Sequence, residues 1–160
     1  MSSLPKEVRL QDVMPQIREL LAMGQSVRLY PKGVSMMPML RQNVDSVMLS
    51  PVPGKLKKYD LPLYQRRDGQ YVLHRILKVG QTYTCIGDNQ YKYEPGVAQE
   101  QLIALVTGYY RDEKYIPVTS FRYKCYCRIR HWTRTPRRIC RWLYYGTKNR
   151  IKRIFSRGDS

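Results

Sequence analysis

Two different patterns of hydrophobic and polar positions divide the chain. Near the N-terminus apolar residues recur at helical spacing and predict a helix over residues 5–24 that ends at Gly24. Pro15 lies inside this stretch and predicts a break, or a helix that starts at about residues 12–15. The residues that carry the helical pattern are Val8, Val13, Ile17, Leu20 and Leu21.

The following hundred residues instead predict short β-strands separated by turns. Asp68-Gly69 is typical of a hairpin turn, and a second hairpin is expected through Gly80. Short strands with closely spaced turns indicate a mainly β fold, a compact antiparallel barrel or sandwich. The predicted strands cover residues 26–30, 46–49, 61–64, 71–77, 83–86 and 102–110.

Charge separates a third region from the rest of the 160 residues. Hydrophobic residues make up 42% of the chain, which is enough for a packed core. Residues 121–160 hold 13 of the 29 Lys and Arg and only one acidic residue, Asp159. We therefore expect an N-terminal helix (1–24), a β core (25–120) and a basic, aromatic, partly helical C-terminal extension (121–160).

The basic extension predicts a partner that carries phosphate. Arg and Lys with Trp132, Trp142, Tyr144, Tyr145 and Phe155 favour an anionic membrane surface. Nucleic acid is a less favoured partner, and packing of the extension on the β core is the structural alternative. No signal peptide and no run of about 20 apolar residues is seen, so the expected location is cytoplasmic, peripheral to the inner face of a membrane.

The cysteines do not predict a metal site or another cofactor. Cys125 and Cys127 have a spacing that differs from that of structural zinc sites, although His131 and Cys140 follow. In this setting we expect reduced cysteines, and neither a metal nor a cofactor.

Candidate chemistry begins at Ser35, in a bend that follows the first predicted strand. Gly33 permits backbone angles that other residues resist, and Pro38 fixes its own φ angle. This arrangement exposes a hydroxyl, although most serines near Gly and Pro are ordinary turn residues. A hydroxyl nucleophile also needs a base, and His74 lies in a later strand.

An acidic residue is expected to orient that base. Asp88, in Gly87-Asp88-Asn89, follows the strand predicted to pair with the one that carries His74. Each of these residues also has a competing structural interpretation when it is considered alone. His74 is then a structural histidine, Gly87-Asp88-Asn89 a plain turn and Arg75 a solvated charge.

Four segments in this order resemble the signal peptidase I and LexA-type serine peptidase superfamily over residues 25–110. Residues 33–38, with Gly33, Ser35, Met36 and Pro38, resemble its serine box, and residues 58–64, with Asp60, resemble its second box, where Tyr59 replaces the usual glycine. His74-Arg75-Ile76 resembles the base box of the histidine variant, found in archaeal and endoplasmic-reticulum signal peptidases. Gly87-Asp88-Asn89 resembles the last box.

The resemblance implies roles for individual residues. Ser35 would be the nucleophile, His74 the general base and Asp88 the residue that orients or tunes it. The Ser35 N–H would contribute to the oxyanion hole. Some relatives have a serine where Gly33 stands, so that donor is missing here. Lys78 is a less suitable base, because it lies about 13 Å from His74 along a strand.

The chain departs from the family in what precedes the serine box. Signal peptidases have a membrane anchor there and LexA-type proteins a DNA-binding domain, whereas residues 1–24 predict a single helix. The predicted protein is therefore a stand-alone serine endopeptidase that acts through an acyl-enzyme, with a leader peptide or membrane-associated precursor as substrate. The alternative is an inactive β module that binds peptide, membrane or nucleic acid.

Overall fold

A computed structural model gives the fold of residues 10–140 and 142–144. The chain divides into two units, Met1–Lys124 and Cys125–Ser160, close to the predicted boundary of the extension. Residues 5–9 of the predicted helix, and Tyr145 and Phe155 of the extension, lie outside the described residues.

The N-terminal helix, α1, covers Leu10–Ala22 and buries Met14, Ile17 and Leu21 on one face. The predicted break at Pro15 is wrong, because the helix continues through this residue, where the ring removes one backbone donor. The predicted end is confirmed. Gly24 has a φ of +78°, and its N–H donates to the Leu21 carbonyl.

Nine strands form two antiparallel sheets in the described residues, so the mainly β prediction is confirmed, but these sheets do not close into a barrel. The first sheet has the order β1-β2-β8-β3-β4, with β9 paired to β8, and the second has the order β5-β6-β7. The strands are β1 (Val27–Leu29), β2 (Ser46–Ser50), β3 (Pro62–Gln65), β4 (Tyr71–Leu73), β5 (Arg75–Val79), β6 (Tyr83–Ile86), β7 (Glu94–Val97), β8 (Leu102–Arg111) and β9 (Lys114–Pro117).

Both predicted hairpins are present. Strands β3 and β4 pair through the turn at Gly69, which has a φ of +83°, and β5 pairs with β6. The strand predicted over residues 71–77 is two strands, because the chain leaves the first sheet after Leu73 and enters the second at Arg75. His74 is the single residue between them.

Side chains from both sheets share one buried cluster. Tyr64 comes from the first sheet, whereas Ile76, Tyr83, Cys85 and Val97 come from the second. Burial of this apolar surface holds the two sheets together and fixes the position of the residue that crosses between them.

Helix α2 covers Phe121–Trp132. Residues 134–140 and 142–144, which follow it, are also helical. This agrees with a partly helical extension. The helices found in the described residues are not long and apolar enough to cross a membrane.

Candidate active site

Ser35 lies in a turn between β1 and β2, and its side chain is half-buried. Gly33 has a φ of +92°, a left-handed conformation in which glycine is favoured. The Met37 N–H donates to the Val34 carbonyl over 3.2 Å, and the Met37–Pro38 peptide is cis. The sequence-based interpretation of this segment as a sharp bend around Ser35 agrees with the structure.

The segment after β6 holds this turn from one side. The Asn89 N–H donates to the Ser35 carbonyl over 2.8 Å, and the Asn89 side-chain amide donates to the Val34 carbonyl over 3.3 Å. Asn89 therefore fixes the backbone on which the serine is carried.

Arg111, at the end of β8, holds the turn from the other side. Its guanidinium donates to the carbonyls of Pro38 and Met39 over 2.9 and 2.5 Å. It also lies 3.5 Å from the buried carboxylate of Asp45. Met36, within the turn, is buried with a 3% exposed fraction, so the turn is anchored by packing as well.

His74 and Ser35 meet at Gly87. A Cβ atom placed on Gly87 would lie 3.1 Å from His74 Nε2 and 3.1 Å from Ser35 Cβ. His74 Nε2 and Ser35 Cβ are therefore no further apart than the sum of these two distances. The Nε2 nitrogen and the serine side chain thus occupy neighbouring positions beside Gly87.

A small cleft of about 190 Å³ opens onto this pair. Ser35, His74 and Gly33 line it together with the edge strand β4. Among the described residues, no hydrogen bond uses the N–H of Ser35, a residue that lines the cleft. This N–H is suited to stabilise an oxyanion formed next to the serine.

His74 is buried, with a 2% exposed fraction. The pKa of His74 is lowered to about 4, mainly by burial and also by the charge of Arg66, whereas the charge of Asp88 acts in the opposite direction. The imidazole is therefore neutral near pH 7, which is the form that accepts a proton.

Asp88 has a different main partner from the one expected. Both of its carboxylate oxygens accept hydrogen bonds from Arg75, over 2.9 and 2.7 Å, and both side chains are about 2% exposed. Arg75 also donates to the Tyr59 carbonyl and to the Tyr123 hydroxyl. Asp88 thus influences His74 through its charge, whereas its hydrogen bonds stabilise the buried Arg75, which is not a solvated charge.

The carboxylate that faces the far nitrogen of His74 belongs to Glu94. Its Oε1 lies 3.6 Å from Nδ1, and the Tyr64 hydroxyl lies 3.4 Å from the same nitrogen. Tyr64 donates to Glu94, and Arg66 forms an ion pair with Glu94. No local motif in the sequence relates β3 to β7, so these three residues were not predicted as partners of His74.

Asp60 supports the scaffold at a distance from the cleft. Its carboxylate accepts from the Lys57 N–H over 2.8 Å, and its carbonyl accepts from the Ile76 N–H. Tyr59 beside it has a φ of +77°, a left-handed conformation in which glycine is favoured.

A larger cleft of about 810 Å³ lies beside the first and shares Arg66 and Gln90 with it. Tyr91, Tyr93 and Lys92 are among its lining residues. Its position gives an extended ligand room to continue past Ser35.

The four cysteines, all within the described residues, form no disulfide with one another, and Cys140 is the exposed one. Within residues 10–140 and 142–144 no group of three or more His, Cys, Asp or Glu side chains is arranged to hold a metal.

Comparison of the chain with protein-family models, curated proteins and solved structures found no match. The function is therefore argued from the geometry of the site.

Proposed function

We propose that this chain is a serine peptidase in which Ser35 is the nucleophile and His74 the general base. The observation that carries the proposal is the approach of Ser35 Cβ and His74 Nε2 to the same point at Gly87. Both residues line one cleft, and the imidazole is neutral near pH 7.

The proposed reaction has two halves. His74 Nε2 takes the hydroxyl proton as Ser35 Oγ attacks the peptide carbonyl carbon, and the Ser35 N–H stabilises the resulting oxyanion. The C–N bond breaks as the imidazolium returns the proton to the leaving amine, which leaves an acyl-enzyme. Water, deprotonated by His74, then attacks the ester and releases Ser35.

We assign the core to the signal peptidase and LexA-like type, with the histidine base, on the four segments in their order. The expected substrate is a peptide or protein, such as a precursor whose leader is removed. The edge strand β4 beside the cleft supports an extended substrate, because an edge strand has unpaired backbone groups for a second chain.

A fluorophosphonate probe tests the assignment, because it reacts with activated serines. Wild-type protein should be labelled at Ser35, and Ser35→Ala and His74→Ala should each lose the label. Ser26→Ala is the matched control, because Ser26 is exposed and lies outside the cleft. A folded wild-type protein that is not labelled would favour the alternative, an inactive module that binds peptide.

We further propose that the C-terminal unit binds an anionic membrane surface. Ile129, Trp132, Ile139 and Trp142 are each more than half exposed, and Arg128 and Arg138 are exposed among them. Large exposed apolar side chains beside arginines are suited to the headgroup region of a bilayer, where Trp is favoured.

Flotation with vesicles of phosphatidylcholine, with or without phosphatidylglycerol, tests this surface. Wild type should float only with the anionic vesicles, and the double variant Trp132→Ala/Trp142→Ala should float less. Met23→Ala removes an exposed apolar side chain just after α1 and should have no effect. Equal flotation of the double variant and wild type, or binding of single-stranded RNA in place of vesicles, would contradict the proposal.

A further inference from the structure

Three side chains from two separate segments meet behind His74. Tyr64 is in β3, Arg66 follows that strand, and Glu94 begins β7 in the other sheet. Tyr64 is completely buried, and the Glu94 side chain is only 20% exposed. The group thus lies on the side of the imidazole opposite to Ser35.

The direction of the hydrogen bonds in this group is fixed by charge. Arg66 Nε donates to Glu94 Oε2 over 3.2 Å, and the two side chains form an ion pair. A carboxylate only accepts, so the Tyr64 hydroxyl must donate its hydrogen to Glu94. Burial raises the pKa of Tyr64, so that hydrogen is retained.

The tyrosine oxygen is then left with lone pairs only. His74 Nδ1 lies 3.4 Å from it, and a favourable contact requires that Nδ1 carries the hydrogen. A neutral imidazole protonated at Nδ1 has its lone pair on Nε2, which is the nitrogen next to Ser35.

Glu94 does not contact the ring in the way that a direct acid partner would. Its Oε1 lies 3.6 Å from Nδ1, beyond hydrogen-bond distance, and its charge is shared with Arg66. The imidazole therefore faces a neutral ion pair through a tyrosine, which orients the ring without making it permanently cationic.

We propose that Tyr64 is a positioning residue that holds His74 in the Nδ1-protonated form, and that Glu94 and Arg66 in turn hold Tyr64. This inference rests on the proposed function. It differs from a Ser-His-acid arrangement in that a phenol stands between the base and the carboxylate.

Nitrogen-15 NMR of labelled histidine tests the proton position directly. The chain has only two histidines, so His131→Asn assigns the spectrum. Near pH 7, wild type should show His74 with Nδ1 protonated and Nε2 unprotonated, and Tyr64→Phe should lose that preference. A wild-type imidazole protonated at Nε2 would overturn the proposal, whether or not Ser35 is active.

The rate of fluorophosphonate labelling at Ser35 is the second readout. Tyr64→Phe should reduce it by about tenfold or more, because the wrong tautomer cannot accept the serine proton. Tyr83→Phe is the matched control. It also removes a buried hydroxyl with two hydrogen bonds, to Leu56 and Gln99, but it should leave the tautomer and the labelling rate unchanged.

The two proposals fail in different ways. Absence of labelling in wild type together with the expected tautomer would refute the peptidase and leave the positioning network in place. Normal labelling with equal rates for wild type and Tyr64→Phe would refute the network alone.

Substitution of Arg66 is a further test, because it should change the pH dependence of the labelling rate. A purely structural role of Arg66 would leave that pH dependence unchanged. The groups whose charges act on His74 are Arg66, Glu94 and Asp88. Arg66→Gln removes a charge that lowers the pKa of His74 and leaves Glu94 unpaired, so the acid limb of the labelling rate should move to higher pH. Arg67→Gln, at the neighbouring exposed arginine, should leave the acid limb of the labelling rate at the same pH as in wild type. If Arg66→Gln also left the acid limb at the same pH, the proposed network would be contradicted.

Discussion

The carbonyl oxygen of Ser35 lies only 2.7 Å from the position that a Cβ atom would take on Gly87. The same position is 3.1 Å from His74 Nε2, so the absence of a side chain at Gly87 lets His74 and Ser35 approach each other. Glycine is required at this position for steric reasons, because the Cβ atom of any other residue would lie too close to the backbone of Ser35.

Gly87→Ala should therefore reduce the rate of labelling at Ser35 by about 100-fold, because displacement by an ångström is enough to separate reacting groups. The measurement is the second-order rate with the fluorophosphonate probe. Gly80→Ala is the matched control, since the nearest atom to its Cβ would be the Thr82 carbonyl oxygen at 3.6 Å, an ordinary contact. Equal rates for both variants would show that the loop after β6 can move without cost.

Asp88→Asn should mainly affect stability. It breaks a buried ion pair with Arg75, and the loss of one partner from such a pair costs about 3–5 kcal/mol of unfolding free energy. Denaturant unfolding measures the change. Asp112→Asn removes an exposed partner of Arg41 and should cost less than about 1 kcal/mol. If Asp88→Asn abolished labelling at unchanged stability, Asp88 would act on the reaction and not on the scaffold.

The protein should lose stability as the pH falls from about 6.5 to about 4. His74 is neutral in the folded protein down to about pH 4, whereas in the unfolded chain it takes up a proton near its ordinary value, so the unfolded state binds more protons in this range. The contribution of this one residue is about 3 kcal/mol. Unfolding free energies at several pH values measure it.

Two histidine variants separate this contribution from those of the carboxylates. His131→Asn should keep the pH dependence of wild type between these values, and His74→Asn should reduce it. A wild-type dependence that is identical to that of His74→Asn would mean that the imidazole is not held in its neutral form by burial.

Local patterns in the sequence were sufficient for much of the fold. Alternating apolar residues and turn residues predicted both hairpins, and Gly24 predicted the end of α1, because these features depend on neighbours along the chain. Gly33 and Pro38 predicted the bend around Ser35 for the same reason. The break predicted at Pro15 was wrong. The helix continues through this residue with one backbone donor missing, while Met14 and Ile17 beside it are buried.

The partners of His74 were decided by tertiary structure alone. The strand predicted over residues 71–77 changes sheets at His74, which places one ring nitrogen next to Ser35 and the other next to Tyr64. Glu94 approaches from β7, and its relation to Tyr64 depends on how the two sheets pack. The sequence by itself thus determined which residues have suitable chemistry, because that depends on residue type and local turns. The structure decided which carboxylate lies beside His74 and which stabilises Arg75, because contacts between distant segments form only when the core brings those segments together.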